Sequence, residues 1–341
     1  MNERNQSVDV LRGIAILMVI LGHTISGCTD AYAETSVYNV IWSLQMPLFF
    51  ILSGYVNRYG NTICDGRMLG RFVAKRTAAY IIPWLVWTFL VRGLVFGASS
   101  YLNVKYLLWH MDSGYWFLMS LWMIVLAFGL SQFLASKFVK EADRPILHLA
   151  ASVTLFALCG VILLVVGVVV GLSFLGIKLT VYYMPFYALG VLFGKLQKST
   201  SLERLIRVTE IAVLISGLVY FALITRFELF AMGESVPEIG IRVLVSLSGC
   251  VVLCGTVGLS LNMKRENACL QWVGKHSLEL YLIHHLFLFE ITPKIKPMAA
   301  SVAGFGMCVL NYAITVACAV LAVRLLNQNR MLRKVLFWKK S

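Results

Sequence analysis

Long apolar runs separated by short polar segments recur along almost the whole chain. A run of about 20 apolar residues is the length that an α-helix needs to cross the hydrocarbon core of a bilayer. The pattern predicts about ten such helices, at residues 8–26, 40–57, 73–97, 114–134, 146–170, 179–195, 208–226, 241–261, 277–292 and 299–325. We therefore predict an all-α integral membrane protein with a single transmembrane domain over residues 1–341.

The composition supports this class. Hydrophobic residues make up 59% of the chain and charged residues 13%, whereas a soluble globular protein has about 25% charged residues. The net charge of +14 would indicate nucleic-acid binding in a soluble protein, but in a membrane protein the distribution of charge among the loops matters more. We therefore expect the lipid bilayer, and no nucleic acid, as a partner.

The Lys and Arg residues predict the orientation of the helices. Successive loops lie on alternate sides of the membrane, and the loops on one side contain many more Lys and Arg residues than those on the other. Both chain ends lie on the basic side, and we call its Lys and Arg residues the basic set. This set includes Arg67, Arg71, Lys75, Arg76, Lys137, Lys140, Lys195, Arg204, Lys264 and Arg333. Since basic loops stay in the cytoplasm, both termini are predicted to be cytoplasmic.

The first predicted helix carries three ionisable residues, Asp9, Arg12 and His23. At 100° per residue these residues fall within about 80° of one another, on the face that also carries Ile16 and Ile20. Asp9 and Arg12 can pair at i,i+3. Because ionisable groups inside a membrane helix are costly, we predict that this face lines a buried reaction or transport path.

Four patterns lie in order along the chain, the first of them in the helix just described: LRGIAILMVILGH at 11–23, MPLFFILSGY at 46–55, YWFL at 115–118 and KHSLELYLIHH at 275–285. In this order and spacing the chain resembles the membrane acyltransferase-3 family over about residues 5–325. With IPWLVW at 82–87, it looks most like the family's branch of saccharide O-acetyltransferases, typified by the fucose 4-O-acetylase-like proteins.

This resemblance implies an enzyme of the bacterial cytoplasmic (inner) membrane. It implies that the enzyme moves an acyl group, usually acetyl, from cytoplasmic acetyl-CoA to a hydroxyl group of a cell-surface or lipid-linked saccharide. It also implies that His23 is the catalytic residue and that Arg12 and the basic residues before the third helix bind acyl-CoA. The sequence identifies neither a protein partner nor an oligomeric state, and both stay open.

The residue chemistry agrees with these roles. An imidazole titrates near neutrality, so His23 can act as the base that takes the hydroxyl proton or carry the acyl group as an N-acyl imidazole; both alternatives stay open. The cations Arg12, Arg71, Lys75 and Arg76 suit the phosphates of coenzyme A. The positive-inside rule also accounts for cations in this loop.

Weaker candidates for a cavity or substrate site are Asp9, Ser53, Trp116, Glu279 and His284. Ser53 fits either helix packing or substrate positioning, and Trp116 fits either an interfacial anchor or a sugar-stacking ring. His284 fits either a place in the cavity, orienting substrate or His23, or a structural hydrogen bond. A buried Glu279 would need a histidine or arginine partner.

Two alternatives to acetyl transfer remain. A polytopic transporter or exporter of a glycan or ion fits the intramembrane charges generically, and an O-succinyltransferase fits within the same class. The eight cysteines form no C-x-x-C pair and no Cys/His ligand spacing. The sequence therefore predicts neither a metal site nor a disulfide framework.

Overall fold

The computed structural model describes residues 6–28, 32–111, 114–199, 202–262, 267–288 and 302–338. Within these ranges the regular secondary structure is entirely helical, which confirms the all-α class. The helices are α1 (Gln6–Cys28), α2 (Ser36–Val56), α3 (Gly66–Leu85), α4 (Val104–Trp109), α5 (Trp116–Phe138), α6 (Pro145–Val170), α7 (Ile177–Ser199), α8 (Leu202–Ile224), α9 (Val236–Asn262), α10 (Ala268–Lys275), α11 (Ser277–Ile283), α12 (Val302–Gln328) and α13 (Arg330–Phe337). A π-helix, Val86–Val95, continues α3.

Nine helices in the described part of the chain are long and apolar enough to cross a membrane. They correspond to nine of the ten predicted spans. The remaining span, 277–292, differs: its described part is the seven-residue α11, followed by a 3-10 turn over His284–Leu286. His276 interrupts the helical backbone between α10 and α11 (φ −110°, ψ 19°). Residues 289–292, and the first residues of span 299–325, lie outside the described residues.

The chain forms two compact units. The first unit contains Met1–Leu52 and Lys195–Leu325, and the second contains Ser53–Gly194 and Leu326–Ser341. The single domain over residues 1–341 stays a prediction.

In the first unit, α1 packs closely against α10. A Cβ atom on Gly13 would overlap the carbonyl oxygen of Leu270, and one on Gly274 would overlap the carbonyl oxygen of Asp9. The two backbones can approach this closely only because both positions are glycine. Asn39 of α2 fixes the turn after α8, since its amide donates to the carbonyl of Phe227 at 2.7 Å and its Oδ1 accepts from Leu229 N at 2.9 Å.

The second unit contains α3 with its π-helix, α4, α5, α6, most of α7, and α13. The last residues of α2 also belong to this unit, and among them Gly54 contacts α7. A Cβ atom on Gly54 would overlap the carbonyl oxygen of Tyr187. The indole of Trp87 holds the C-terminal segment, because Nε1 donates to the carbonyl of Leu336 at 2.9 Å and the ring stacks on Phe337 at 5.9 Å.

Candidate functional site

Three histidines from two distant parts of the sequence meet in the first unit. The ring centroid of His23 lies 5.4 Å from that of His284 and 4.6 Å from that of His285, and the rings of His284 and His285 are 4.1 Å apart. One nitrogen of each ring lies within 4.8 Å of one nitrogen of each of the others. His284 is buried, His285 is half-buried and His23 is exposed. We call these three residues the histidine cluster.

The helix packing explains the cluster. His23 lies in the last third of α1, and the glycine contact of Gly13 and Gly274 holds α10 against the first half of that helix. The chain turns at His276, and α11 then also contacts α1. The 3-10 turn at the end of α11 carries the two neighbouring histidines. The rings of His284 and His23 are therefore neighbours, and the orienting role of His284 stays a prediction.

A backbone hydrogen bond fixes the tautomer of neutral His284. Its Nδ1 lies 3.0 Å from the carbonyl oxygen of Leu280. Because a carbonyl oxygen can only accept a hydrogen bond, Nδ1 carries the hydrogen. The lone pair of the neutral ring is then on Nε2. His284 therefore brings a fixed ring orientation to the cluster.

A second buried polar pair lies on the same short helix. The Glu279 side chain is fully buried, and its Oε1 lies 3.1 Å from Nδ1 of His276, which is 24% exposed. The His276 ring also contacts Trp272 at 4.5 Å, and the guanidinium of Arg324 lies 5.1 Å from the Trp272 ring centroid. The carboxylate predicted to need a partner has His276 as one.

Removing His276 should destabilise the first unit. We expect His276→Ala to lower the free energy of unfolding by about 1–3 kcal/mol, because the buried Glu279 carboxylate loses a hydrogen bond. The same change in a Glu279→Gln background should cost less, since no charge then stays buried. Thermal unfolding of the four purified forms measures the coupling. Costs that simply add would contradict a direct His276–Glu279 interaction.

The predicted polar face of α1 is only partly buried. Asp9, Ile16 and Ile20 are buried, Arg12 is half-buried and His23 is exposed. The backbone of Asp9 is the point at which α10 crosses α1. A continuous path along this face stays a prediction.

The predicted coenzyme-binding cations of α3 lie in the second unit. Arg71 and Lys75 are exposed, and Arg76 is half-buried with its guanidinium 5.4 Å from the ring centroid of Phe72. Arg71 also donates from Nε to the carbonyl of Arg67 at 3.4 Å. The exposed pair is available to an anion, and Arg76 is held beside an aromatic ring.

The other two candidates in the second unit, Ser53 and Trp116, are half-buried. Gly54, the neighbour of Ser53, makes the close contact with Tyr187. Trp116 begins α5 and stacks on Tyr183, with centroids 5.6 Å apart and planes at 20°. One face of the indole is therefore covered by protein.

Two residues at this site, His285 and His276, are not among those predicted from the sequence. His285 follows His284 directly, and the IHH run was the available signal. His276 precedes Glu279 by three residues, which is the spacing of neighbours on one helix face. Only the folded chain shows that His285 reaches His23.

Comparison with known proteins places most of the chain in one family. Residues 5–324 match the family Acyl_transf_3, described as an acyltransferase domain. The chain is 27% identical over 218 residues to the nodulation protein NolL of Sinorhizobium fredii, covering 57% of this chain and 50% of that protein. It is 32% identical over 97 residues to NolL of Mesorhizobium japonicum, covering 27% of this chain and 25% of that protein. The chain thus spans half or less of these relatives, and no solved structure matches it.

Proposed function

Since the chain belongs to the acyltransferase-3 family, we propose that it is a multi-pass membrane O-acyltransferase that moves an acetyl group from cytoplasmic acetyl-CoA to a hydroxyl group of a cell-surface or lipid-linked saccharide. The observation that carries the chemistry is the histidine cluster, in which the exposed His23 contacts two further imidazoles. The proposed cellular location is the bacterial inner membrane, with both termini in the cytoplasm.

In this proposal His23 handles the proton of the acceptor. As a base, it takes the proton from the saccharide hydroxyl while the oxygen attacks the thioester carbonyl; the C–S bond breaks and coenzyme A leaves as a thiol once it is protonated. As a carrier, its ring nitrogen attacks the thioester carbonyl, the C–S bond breaks and coenzyme A leaves as a thiol with the proton that the imidazole loses. The saccharide hydroxyl then attacks the acyl-imidazole, the N–C bond breaks, and the hydroxyl proton returns to the ring nitrogen. His284 is a positioning residue, because its fixed ring packs against that of His23.

Arg12, Arg71, Lys75 and Arg76 are proposed to bind the phosphates of acetyl-CoA. Guanidinium groups bind phosphate in a bidentate way, and the bond is strengthened by charge. Support comes from the exposure of Arg71 and Lys75 on one helix and from the partly buried Arg76 next to them. Ser53 and Trp116 are proposed to help position the acceptor, and no metal takes part in the transfer.

Arg76→Ala should weaken donor binding. We expect the KM for acetyl-CoA to rise about tenfold with little change in kcat, because a charge-assisted hydrogen bond contributes about 1.5–3 kcal/mol. Initial rates over a range of acetyl-CoA concentrations measure this change. The control is Lys105→Ala, which removes an exposed cation on α4. An unchanged KM in Arg76→Ala would show that Arg76 does not bind the donor and serves only to orient the helices in the membrane.

Membrane vesicles provide the direct test of the function. Vesicles from cells with and without the protein are incubated with acetyl-CoA labelled in the acetyl group, and label is counted in the extracted saccharides. Protein-dependent labelling supports the proposal. Labelling from succinyl-CoA instead would identify an O-succinyltransferase, and the absence of both would favour a transporter.

A further inference from the structure

The histidine cluster has the composition of a transition-metal site. We propose that His23, His284 and His285 bind a divalent transition metal, with Zn²⁺ as the reference ion, and that the bound ion blocks acyl transfer. Imidazole is a preferred ligand of zinc, copper and nickel. Motif spacing does not predict this site, because His23 lies far in the chain from His284 and His285.

The geometry is close to that of a three-histidine zinc site. Zn–N bonds are about 2.0–2.1 Å long, so nitrogens on a tetrahedral ion are about 3.3 Å apart. The nitrogens of the cluster already lie within 4.8 Å of one another. The remaining difference is about the size of a ring rotation, and the exposed His23 and the half-buried His285 are the two rings with room to make it.

The hydrogen bond of His284 fits a metal ligand. Histidines that bind metals usually donate the hydrogen of their other ring nitrogen to a carbonyl or carboxylate, which fixes the ring and raises the basicity of the ligating nitrogen. The Nδ1 atom of His284 makes this bond to Leu280 at 3.0 Å, so Nε2 is the ligating atom. The exposed side of His23 provides the entry for the ion, and three protein ligands leave the fourth position to water.

Blocking follows from competition for one lone pair. The nitrogen of His23 that binds the ion can neither take a proton nor attack a thioester. This step rests on the proposed function, whereas metal binding does not. The metal-bound form should therefore be inactive until the ion is removed.

The first test measures binding without any need for transfer activity. The full chain is purified in detergent on a tag without histidines, stripped with a chelator and titrated with Zn²⁺ against a fluorescent zinc indicator. We expect one ion per chain, and an affinity at least about tenfold lower in both His285→Ala and His284→Ala. The control is His110→Ala, an exposed histidine of the second unit that contacts Tyr106, which should bind zinc as the unmodified protein does.

Folding of the variants is checked separately. Circular dichroism and gel-filtration elution must match those of the unmodified protein, and His285→Gln provides a second, larger side chain at the same position. Unchanged zinc affinity in folded His284→Ala and His285→Ala, or no binding by the unmodified protein, would overturn the proposal.

The second test uses transfer. Zinc should inhibit, a chelator should restore the rate, and His285→Ala should raise the inhibitory zinc concentration about tenfold. An increase of the rate with zinc would overturn the blocking step. Transfer without zinc binding would refute this inference alone, whereas zinc binding in a protein that transfers no acyl group would refute the proposed function and leave the metal site standing.

Discussion

His23→Ala is expected to reduce acyl transfer to the level of cells that lack the protein. General-base catalysis contributes about 10²–10⁴-fold to a rate, and loss of a nucleophile removes the covalent route completely. Alanine has no group that can do either. The measurement is the rate of transfer from labelled acetyl-CoA in membrane vesicles, normalised to the amount of protein in the membrane.

The variant should remain folded, because His23 is exposed and its loss leaves no cavity in the core. His110→Ala is the matched control, since it removes an exposed histidine elsewhere in the chain and should keep the full rate. A normally inserted His23→Ala protein with a substantial rate would remove His23 from the chemistry.

The same protein can distinguish base from carrier. Labelled acetyl-CoA is mixed with the purified protein without an acceptor, and the reaction is quenched. Label that stays on the unmodified chain and is absent from His23→Ala indicates an acyl-imidazole, whereas an unlabelled chain that still transfers indicates a base.

Gly274→Ala is expected to have the largest effect on stability. The added Cβ would overlap the carbonyl oxygen of Asp9, and a backbone atom in the middle of a packed helix pair cannot rotate away. Overpacking costs about 1–3 kcal/mol where side chains can shift, so we expect a cost at or above the upper end of this range. Thermal unfolding of the purified protein and its yield in the membrane measure the effect.

Gly258→Ala is the control. Gly258 lies on α9 in the same unit, and its Cβ would meet no atom within 4 Å, so this change should be neutral or slightly stabilising. Equal stability of the two variants would contradict the close packing of α10 against α1. Separation of the helices should also move His284 away from His23 and lower the transfer rate.

Much of the fold could be predicted from the sequence, since hydropathy reports directly which segments are long and apolar. The short helix α10 could not, because its eight residues are far fewer than the roughly 20 that a membrane span needs, so hydropathy does not detect it. The close packing of α1 and α10 at Gly13 and Gly274 could not be predicted from the sequence either. A glycine contact depends on which faces meet, and this is a property of the packed chain.

The candidate site could be predicted only in part, because some of its contacts depend on how the helices pack. His23 and His284 stand out as ionisable residues in apolar segments, and their motifs carry the family resemblance. His285 and the shape of the cluster depend on a contact between residues far apart in sequence. The roles of Arg12, Arg71, Lys75 and Arg76 in donor binding stay predictions, because a basic loop has the same appearance whether it binds coenzyme A or only sets topology.

Mass spectrometry of the surface and lipid-linked glycans tests the central claim most directly. Cells with the intact protein, cells without it and cells with His23→Ala are compared. We predict that one glycan gains the mass of an acetyl group only with the intact protein, which also identifies the acceptor sugar. Glycans of unchanged mass but altered abundance would contradict acetyl transfer and indicate export.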